Sequence, residues 1–366
     1  MVSIIASSVD FRLAVGGLSG CLHCSRSAWL FAAAPVEKED VMPDTILRPT
    51  TERLDPQVIA MNEAAARLGA APADPLSLPL ADARAAAERY HAFLNGPVPL
   101  AVDVTEVAAA GPSGPLALRL YRPADHGAAR LPVLVYFHGG GFVVNSVDTH
   151  DRLLRMLALH SGVVVCAVRY SLAPERRFPH QHEEALAALR WIAAAGAVHG
   201  IDPGRIAVGG DSAGANLALG LALAARAPGE PRVSFGLLFY GMFAHDFDTV
   251  SHRRFGDGRY GLTTARMRWY WQQYLGAAAT PDDPRAIPLL ADLRGLPPLL
   301  LLAADLDCLR DDSLRLAERL AEAGVSHRLA VHDGLPHSFA TMTRLVDLAH
   351  RAVLQAADAV RRHLDA

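Results

Sequence analysis

The sequence predicts an α/β fold: an eight-stranded, mostly parallel sheet with helices on both faces and a helical cap. Two observations support this. The strand-like runs are apolar throughout, as expected of strands buried on both faces, and helical patterns separate most of the later ones. The predicted strands are 102–109, 115–121, 132–138, 162–170, 205–210, 234–240, 297–305 and 327–333. The predicted helices between and after them are 149–161, 180–196, 212–226, 311–323 and 343–364.

Composition excludes several classes of function. The chain has 366 residues, 51% of them hydrophobic and 20% charged, which is a globular composition with enough apolar material for a large core. The net charge is −3 and no long basic cluster occurs, so nucleic acid is not an expected partner. The longest apolar run, 296–304, is too short for a membrane span.

Two stretches outside the alternating pattern predict a cap. Amphipathic helical patterns cover 54–70 and 80–96, before the first strand, so an N-terminal cap segment is expected over 42–100. An aromatic- and arginine-rich stretch at 241–285 interrupts the alternation after one strand and predicts a second cap insertion. The catalytic domain is then expected to span 101–366.

The N-terminal stretch 1–41 admits several interpretations. "LSGC" (18–21) resembles a lipoprotein cleavage box, and "FAAAP" (31–35) contains a signal-cleavage pattern. The start lacks the clear positive charge and unbroken apolar stretch of a secretion signal, which favours a disordered tail or an upstream start with the native start at Met42. We therefore expect a cytoplasmic protein, with secretion or lipid anchoring as the alternative. Cys21 and Cys24 have CxxC spacing but no second pair, so a metal or redox site is not expected there.

Ser212 is the predicted nucleophile. It lies in Gly210-Asp211-Ser212-Ala213-Gly214, directly after the strand "RIAV" and before an Ala/Leu-rich helix. Glycines on both sides permit a sharp strand-to-helix turn that exposes the serine hydroxyl. A glycine-rich turn with a capping serine is the structural alternative.

A glycine loop provides candidate donors for an oxyanion. "YFHGGGFVVNS" (136–146) follows a strand, and three consecutive glycines are entropically costly for an ordinary turn. They allow backbone N–H groups to converge on the oxyanion of an acyl-transfer intermediate. The predicted donors are Gly139, Gly140, Gly141 and Ala213, and His138 is expected to brace the loop.

His337 is the predicted general base. A serine needs a base, and in α/β-hydrolases the chain order is serine, acid, histidine. His337 follows the last predicted strand, in a Gly/Pro loop before the final helix. Four other histidines were weighed against it: His327 and His332 lie on that strand, and His245 and His252 come too early in the chain.

The acid must come from a strand end between Ser212 and His337. "LLAADLDCLRDDS" (301–313) satisfies this condition, and its position leaves Asp305 and Asp307 both open. Asp311 and Asp312 begin the next helix, where capping is expected.

These motifs together resemble the hormone-sensitive-lipase-like branch of the α/β-hydrolases, the bacterial esterases with HGGG and GDSAG motifs. The resemblance spans roughly residues 50–362. It includes "VRYSLAPERRFP" (168–179) and "LTTARMRWYWQQYL" (262–275), which is similar to the family's lid helix. The family's acid motif, approximately "DPLRDEG", aligns without gaps only with "DCLRDDS" (307–313), which implies that Asp307 is the acid. It also implies supporting roles near the site for Asp211 and Glu175, with a solvated loop carboxylate as the alternative for Glu175.

Three departures from the family pattern stand out. Cys308 replaces the usual proline after the acid, Ser338 replaces the glycine after the histidine, and Gly241 stands where proline is frequent. None of these changes removes a catalytic group, so we expect effects on stability or specificity with activity retained.

The resemblance implies a serine carboxylic-ester hydrolase that acts on small-molecule esters of short to medium acyl chains. It needs no metal or organic cofactor, and the family often forms homodimers. An amidase, deacetylase or acyltransferase would use the same triad, and a ligand receptor on this scaffold would lack the histidine. The histidine-rich "HQHEE" (180–184) is better explained as an acidic helix start than as a metal site. Aromatic residues of the second cap segment are expected to line or cover the acyl pocket, with core packing as the alternative: Phe243, Phe255, Trp269, Tyr270 and Trp271.

Overall fold

The computed structural model describes residues 52–98, 101–124, 130–276 and 282–365. The expectations for residues 1–41, including the Cys21 and Cys24 pair, lie outside these ranges. Within them the strands are β1 Val102–Gly111, β2 Gly114–Pro123, β3 Leu131–Phe137, β4 Val164–Val168, β5 Ile201–Asp211, β6 Phe235–Phe239, β7 Leu299–Leu306 and β8 His327–Pro336. The helices are α1 Pro56–Arg67, α2 Leu80–Asn95, α3 Asp151–Ser161, α4 His180–Ala195, α5 Ala213–Ala224, α6 Val250–Phe255, α7 Thr264–Leu275, α8 Arg310–Glu322 and α9 Asp347–His363.

The eight strands form one sheet in the order β1-β2-β4-β3-β5-β6-β7-β8. β2 pairs antiparallel with both of its neighbours, whereas β3 to β8 pair in parallel. The predicted α/β class with a mostly parallel sheet is therefore confirmed. The carboxyl ends of the parallel strands meet at one edge, which is where ligands bind in folds of this kind.

Helices cover both faces of the sheet, as the unbroken apolar strands require. Every residue of β3 and β7 is buried. The α3 and α9 helices pack on one face, and α4, α5 and α8 pack on the other. Helix α5 lies at the centre and is apolar on all sides, because ten of its twelve residues are buried.

Both predicted cap stretches contain helices. α1 and α2 precede the first strand, and α6 and α7 lie between β6 and β7. Asp55 begins α1 by accepting a hydrogen bond from the Gln57 N–H at 2.7 Å, with Pro56 at the first helical position. No helix in the described ranges is both long and apolar enough to cross a membrane.

Candidate active site

Ser212 occupies a strained turn between β5 and α5. Its φ is +53°, a left-handed value that side chains other than glycine rarely adopt, and its N–H donates to the Phe239 carbonyl at 2.9 Å. A Cβ atom on Gly214 would lie 1.9 Å from the Phe137 carbonyl oxygen, and one on Gly210 would lie 2.3 Å from the Gly214 carbonyl carbon. The two glycines are thus required by close backbone approach on either side of the serine.

His337 and Asp307 complete a hydrogen-bonded line that ends at this serine. The His337 Nε2 lies 3.0 Å from the Ser212 Oγ, and its Nδ1 lies 2.7 Å from the Asp307 Oδ2. The other carboxylate oxygen of Asp307 accepts the Leu309 N–H at 3.0 Å. The Asp307 side chain is fully buried and that of His337 is 9% exposed, so the histidine is the more open member of the pair.

The second candidate acid, Asp305, lies elsewhere. Its Oδ1 accepts a hydrogen bond from Arg310 Nη1 at 2.9 Å, and the pair is buried with side-chain exposures of 2% and 15%. Of the two open aspartates, the structure brings only Asp307 into contact with His337.

The capping role expected for Asp311 and Asp312 is wrong. Both residues lie in the first turn of α8, as expected, but neither side chain makes a cap hydrogen bond. Asp311 accepts the Ser251 N–H at 2.9 Å, and Asp312 accepts the N–H groups of Phe243 and Ala244 at 2.7 and 2.9 Å. Burial raises the pKa of Asp312 to about 7. Both carboxylates therefore fasten the segment that follows β6 to the start of α8.

The glycine loop brings two of its three predicted donors to the serine. Gly140, Gly141 and Ser212 line the same cavity. Within the described residues, the N–H groups of Gly140, Gly141 and Ala213 have no hydrogen-bond acceptor. The prediction of Gly139 as a donor is wrong in this conformation, because its N–H donates to the Asp211 Oδ1 at 2.9 Å.

Gly140 and Gly141 are required for steric reasons. Gly140 has φ +124°, and a Cβ there would lie 2.1 Å from the Val144 carbonyl oxygen. Gly141 has φ +61°, and its Cβ would lie 2.2 Å from the Tyr270 ring. A side chain at either position would displace the loop.

Asp211 and His138 support the glycine loop from behind. Besides the Gly139 N–H, Asp211 Oδ1 accepts the Tyr136 hydroxyl at 3.1 Å, and His150 Nε2 lies 3.1 Å from the same oxygen. Burial alone would raise the pKa of Asp211, but His150 and Tyr136 outweigh it and the pKa is lowered. His150 had no sequence signal beyond its place at the start of a predicted helix.

His138 is placed beside the loop and away from the nucleophile. Its Nδ1 lies 2.7 Å from the Gly139 carbonyl oxygen, and its ring stacks on Tyr170 at 4.4 Å. Burial lowers the pKa of His138 to about 3, so the imidazole is neutral near pH 7. These contacts fit the expected bracing role.

The side chain of Glu175 is 57% exposed, unlike the buried side chains around Ser212. Its two carboxylate oxygens accept from Arg84 Nη1 and Nη2 at 2.8 and 2.7 Å. The hydrogen bond from Arg84 lowers the pKa of Glu175. Arg84 was not predicted as a residue near the site, because the sequence pattern of α2 does not reveal its contacts with distant residues.

The three positions that depart from the family pattern have different local environments. Ser338 has φ +65°, a left-handed conformation in which glycine is favoured. A Cβ on Gly241 would lie 2.0 Å from the Phe243 ring, so this chain needs glycine there. Cys308 is buried, its carbonyl accepts the Ser251 hydroxyl at 2.7 Å, and burial raises the pKa of its thiol well above the usual value. The thiol is therefore protonated.

A cavity of about 410 Å³ opens above Ser212 and His337. Its walls come from the N-terminal stretch 54–91, the glycine loop and the stretch 258–270. Tyr270 is the one member of the five predicted pocket aromatics that lines it. Phe243, Phe255 and Trp271 are buried core residues, and Trp269 packs against Val143, Val144 and Ala173.

Three features define the α/β-hydrolase class: a serine on a strand-to-helix turn, an acid after β7 and a histidine after β8. All three lie at the carboxyl edge of the parallel sheet. Comparison with known proteins agrees. The sequence profile of the Abhydrolase_3 family, described as alpha/beta hydrolase fold, matches residues 134–341.

Named relatives are ester hydrolases. The ethyl acetate hydrolase of Pseudomonas putida is 39% identical over 254 residues, covering 68% of this chain and 79% of that protein. Esterase LipI of Mycobacterium tuberculosis is 36% identical over 278 residues, covering 75% and 86%. The chain therefore belongs to this family of hormone-sensitive-lipase-like esterases, and it is a carboxylesterase.

Solved structures show the same architecture. A thermostable esterase from Pseudomonas putida superposes with a TM-score of 0.80 at 34% identity, covering 86% of this chain and 99% of that one. A hyperthermophilic esterase from Pyrobaculum calidifontis gives a TM-score of 0.77 at 36% identity, covering 85% and 98%.

Proposed function

We propose that the protein hydrolyses carboxylic esters of short to medium acyl chains through a covalent acyl-enzyme on Ser212. The observation that carries the proposal is the line of hydrogen bonds from Asp307 through His337 to the Ser212 hydroxyl, at 2.7 and 3.0 Å. A hydroxyl becomes an effective nucleophile when an adjacent base removes its proton as it attacks.

In the acylation half, His337 Nε2 takes the proton of Ser212 while Oγ attacks the ester carbonyl carbon. His337 then gives that proton to the leaving alcohol, and the acyl group remains on Ser212. Asp307 accepts the Nδ1–H of His337, which keeps Nε2 free as the base and stabilises the imidazolium. In the second half, His337 activates water, which attacks the acyl carbonyl carbon and releases the carboxylic acid and Ser212.

The tetrahedral intermediates place negative charge on the former carbonyl oxygen. The proposed donors to that oxygen are the N–H groups of Gly140, Gly141 and Ala213. Ala213 is the first residue of α5, so the positive end of the helix dipole adds to the stabilisation. Loss of one such donor typically costs about 3–4 kcal/mol of transition-state stabilisation.

The size and cover of the cavity support small substrates. Its volume of about 410 Å³ lies near the lower end of the range of about 300–1,000 Å³ for small-molecule sites. The relative from Pseudomonas putida is named an ethyl acetate hydrolase, which also favours short acyl chains. We further propose that 42–100 and 241–285 act as the two parts of a substrate-binding cap on the 101–366 domain, since residues of both stretches line the cavity.

A panel of p-nitrophenyl esters tests the proposal. Purified protein should hydrolyse the acetate, butyrate and octanoate. Where deacylation is slower than acylation, a burst of p-nitrophenol equal to the enzyme concentration should precede steady-state turnover. The highest kcat/KM should fall on acetate to octanoate and decline for palmitate. No turnover of any ester, or faster turnover of matched anilides than of esters, would overturn the proposed function.

A further inference from the structure

Helix α2 of the N-terminal cap stretch runs along the segment that continues the glycine loop. Arg84 Nε donates to the Val143 carbonyl at 2.8 Å, and the Ser146 hydroxyl donates to Glu88 Oε1 at 2.8 Å. At the end of the helix, Asn95 Nδ2 donates to the Asp148 carbonyl at 3.1 Å. The cap helix thus contacts this segment along much of its length.

Arg84 makes the most extensive of these contacts. Besides Val143, its Nη2 donates to the Ala173 carbonyl at 3.0 Å, and both terminal nitrogens bind Glu175. Glu175 is ionised, since its bond with Arg84 lowers its pKa. The guanidinium of Arg84 therefore binds one carboxylate through its two terminal nitrogens and two backbone carbonyls through other N–H groups. These bonds allow the planar group only one orientation, with its Nε–H directed toward the Val143 carbonyl.

Val143 is directly connected to the proposed oxyanion donors. The Gly140 carbonyl accepts the N–H groups of Val143 and Val144, each at 3.0 Å, so these residues form one tight turn. Val143, Val144 and Ala173 also form a small apolar cluster against which Leu80 and Ala87 of α2 pack. A shift of the Val143 carbonyl would therefore move the turn that carries the N–H groups of Gly140 and Gly141.

We propose that Arg84 is a positioning residue for the oxyanion hole: its guanidinium, anchored by Glu175, holds the Val143 carbonyl and with it the Gly140–Val144 turn. The inference rests on the proposed function and deepens it, because it makes the cap helix a part of the catalytic geometry as well as a wall of the cavity. Arg84 does not line the cavity, so it acts through the loop and not on the substrate.

The test compares Arg84→Lys with a matched variant, Arg155→Lys. Arg155 also bonds a carboxylate, Asp151 at 2.8 Å, and a carbonyl, Val102 at 3.1 Å, with similar exposure, but it lies on α3 away from the cavity. Lysine keeps the charge and loses the planar fork in both. The readouts are kcat and KM for p-nitrophenyl butyrate, the Ki of a trifluoromethyl ketone, which forms an oxyanion on Ser212, and Tm.

We expect Arg84→Lys to lower kcat by about 10- to 100-fold, the range expected when catalytic groups are misplaced by about 1 Å. KM should change by less than about 3-fold, and the Ki of the ketone should rise by the same factor as kcat/KM falls, because both depend on transition-state stabilisation. Arg155→Lys should lower Tm at most, with kcat and Ki unchanged.

Equal effects of the two substitutions on kcat, or a fall in kcat without weaker ketone binding, would overturn the inference. Glu175→Gln serves as a second variant if Arg84→Lys does not fold. Its kcat should fall and its ketone Ki should rise, both by a smaller factor than in Arg84→Lys. Unchanged kcat and Ki in that variant would also count against the inference. Absence of ester hydrolysis by the unmodified protein would instead refute the proposed function.

Discussion

Replacement of Asp307 by asparagine should nearly abolish turnover and leave the fold intact. Asp307 is fully buried, and its Oδ2 accepts the Nδ1–H of His337 at 2.7 Å. An asparagine amide facing Nδ1 would favour the wrong tautomer, with the proton on Nε2, and would not stabilise the imidazolium. Loss of the corresponding acid in other triads lowers kcat by about 10⁴-fold, and a 10³- to 10⁴-fold fall corresponds to about 4–5.5 kcal/mol of activation free energy.

Asp305→Asn provides the matched control two residues earlier. Asp305 is equally buried, but its partner is Arg310 at 2.9 Å, so the substitution leaves a buried guanidinium without its countercharge. It should lower the free energy of unfolding by about 3 kcal/mol, with a small effect on kcat. The assay is steady-state hydrolysis of p-nitrophenyl butyrate together with urea unfolding of both variants. Equal losses of kcat, or a larger loss for Asp305→Asn, would refute the assignment of the acid.

Asp312, Gly141 and Gly214 provide three further tests. Burial raises the pKa of Asp312 from 3.8 to about 7, so the folded protein binds this proton more tightly than the unfolded chain does. The stability that Asp312 contributes is fully present below 3.8 and is lost as the pH rises through about 7. Measured by urea unfolding, the free energy of unfolding should be about 3 kcal/mol lower at about pH 8 than at about pH 5 because of this group, and Asp312→Asn should abolish that difference. An unchanged pH dependence in the variant would contradict this prediction. Gly141→Ala should lower kcat by about 10- to 100-fold because the new Cβ meets Tyr270, whereas Gly324→Ala, with a similar φ of +66° and nothing within 4 Å, should leave kcat unchanged. Gly214→Ala should prevent soluble expression, since its Cβ would lie 1.9 Å from the Phe137 carbonyl oxygen; a folded, active Gly214→Ala variant would show that the turn relaxes.

The sequence predicted features that depend on local chain chemistry. The order of apolar runs and helical patterns was sufficient for the α/β class, because strands buried on both faces have a distinctive unbroken pattern. The Ser212 turn and the glycine loop could be located because backbone segments that approach closely leave no room for a side chain, and such positions require glycine. At the end of β7, by contrast, position in the chain did not distinguish Asp305 from Asp307, and the alignment with the family's acid motif was needed to choose between them.

The errors concern contacts between residues far apart in the chain. Acids at the start of α8 look like helix caps, but Asp311 and Asp312 bind backbone N–H groups some 60 to 69 residues earlier. Gly139 looked like a donor because its neighbours are glycines, and only the position of Asp211 shows that its N–H is used. The positions of the cap aromatics also depend on distant contacts: Tyr270 lines the cavity, whereas the next residue, Trp271, is buried in the core. The role of Arg84 depends on Val143, Ala173 and Glu175, which its own helix does not reveal.

Covalent labelling of the serine tests the central claim most directly. Paraoxon phosphorylates a serine activated by a histidine and held beside an oxyanion hole. Stoichiometric treatment should abolish hydrolysis of p-nitrophenyl butyrate, add one diethylphosphoryl group by intact mass, and place it by peptide mapping on Ser212, with no label in Ser212→Ala. Hydrolysis that persists in Ser212→Ala, or a label that inactivates the protein from another residue, would contradict the acyl-enzyme mechanism.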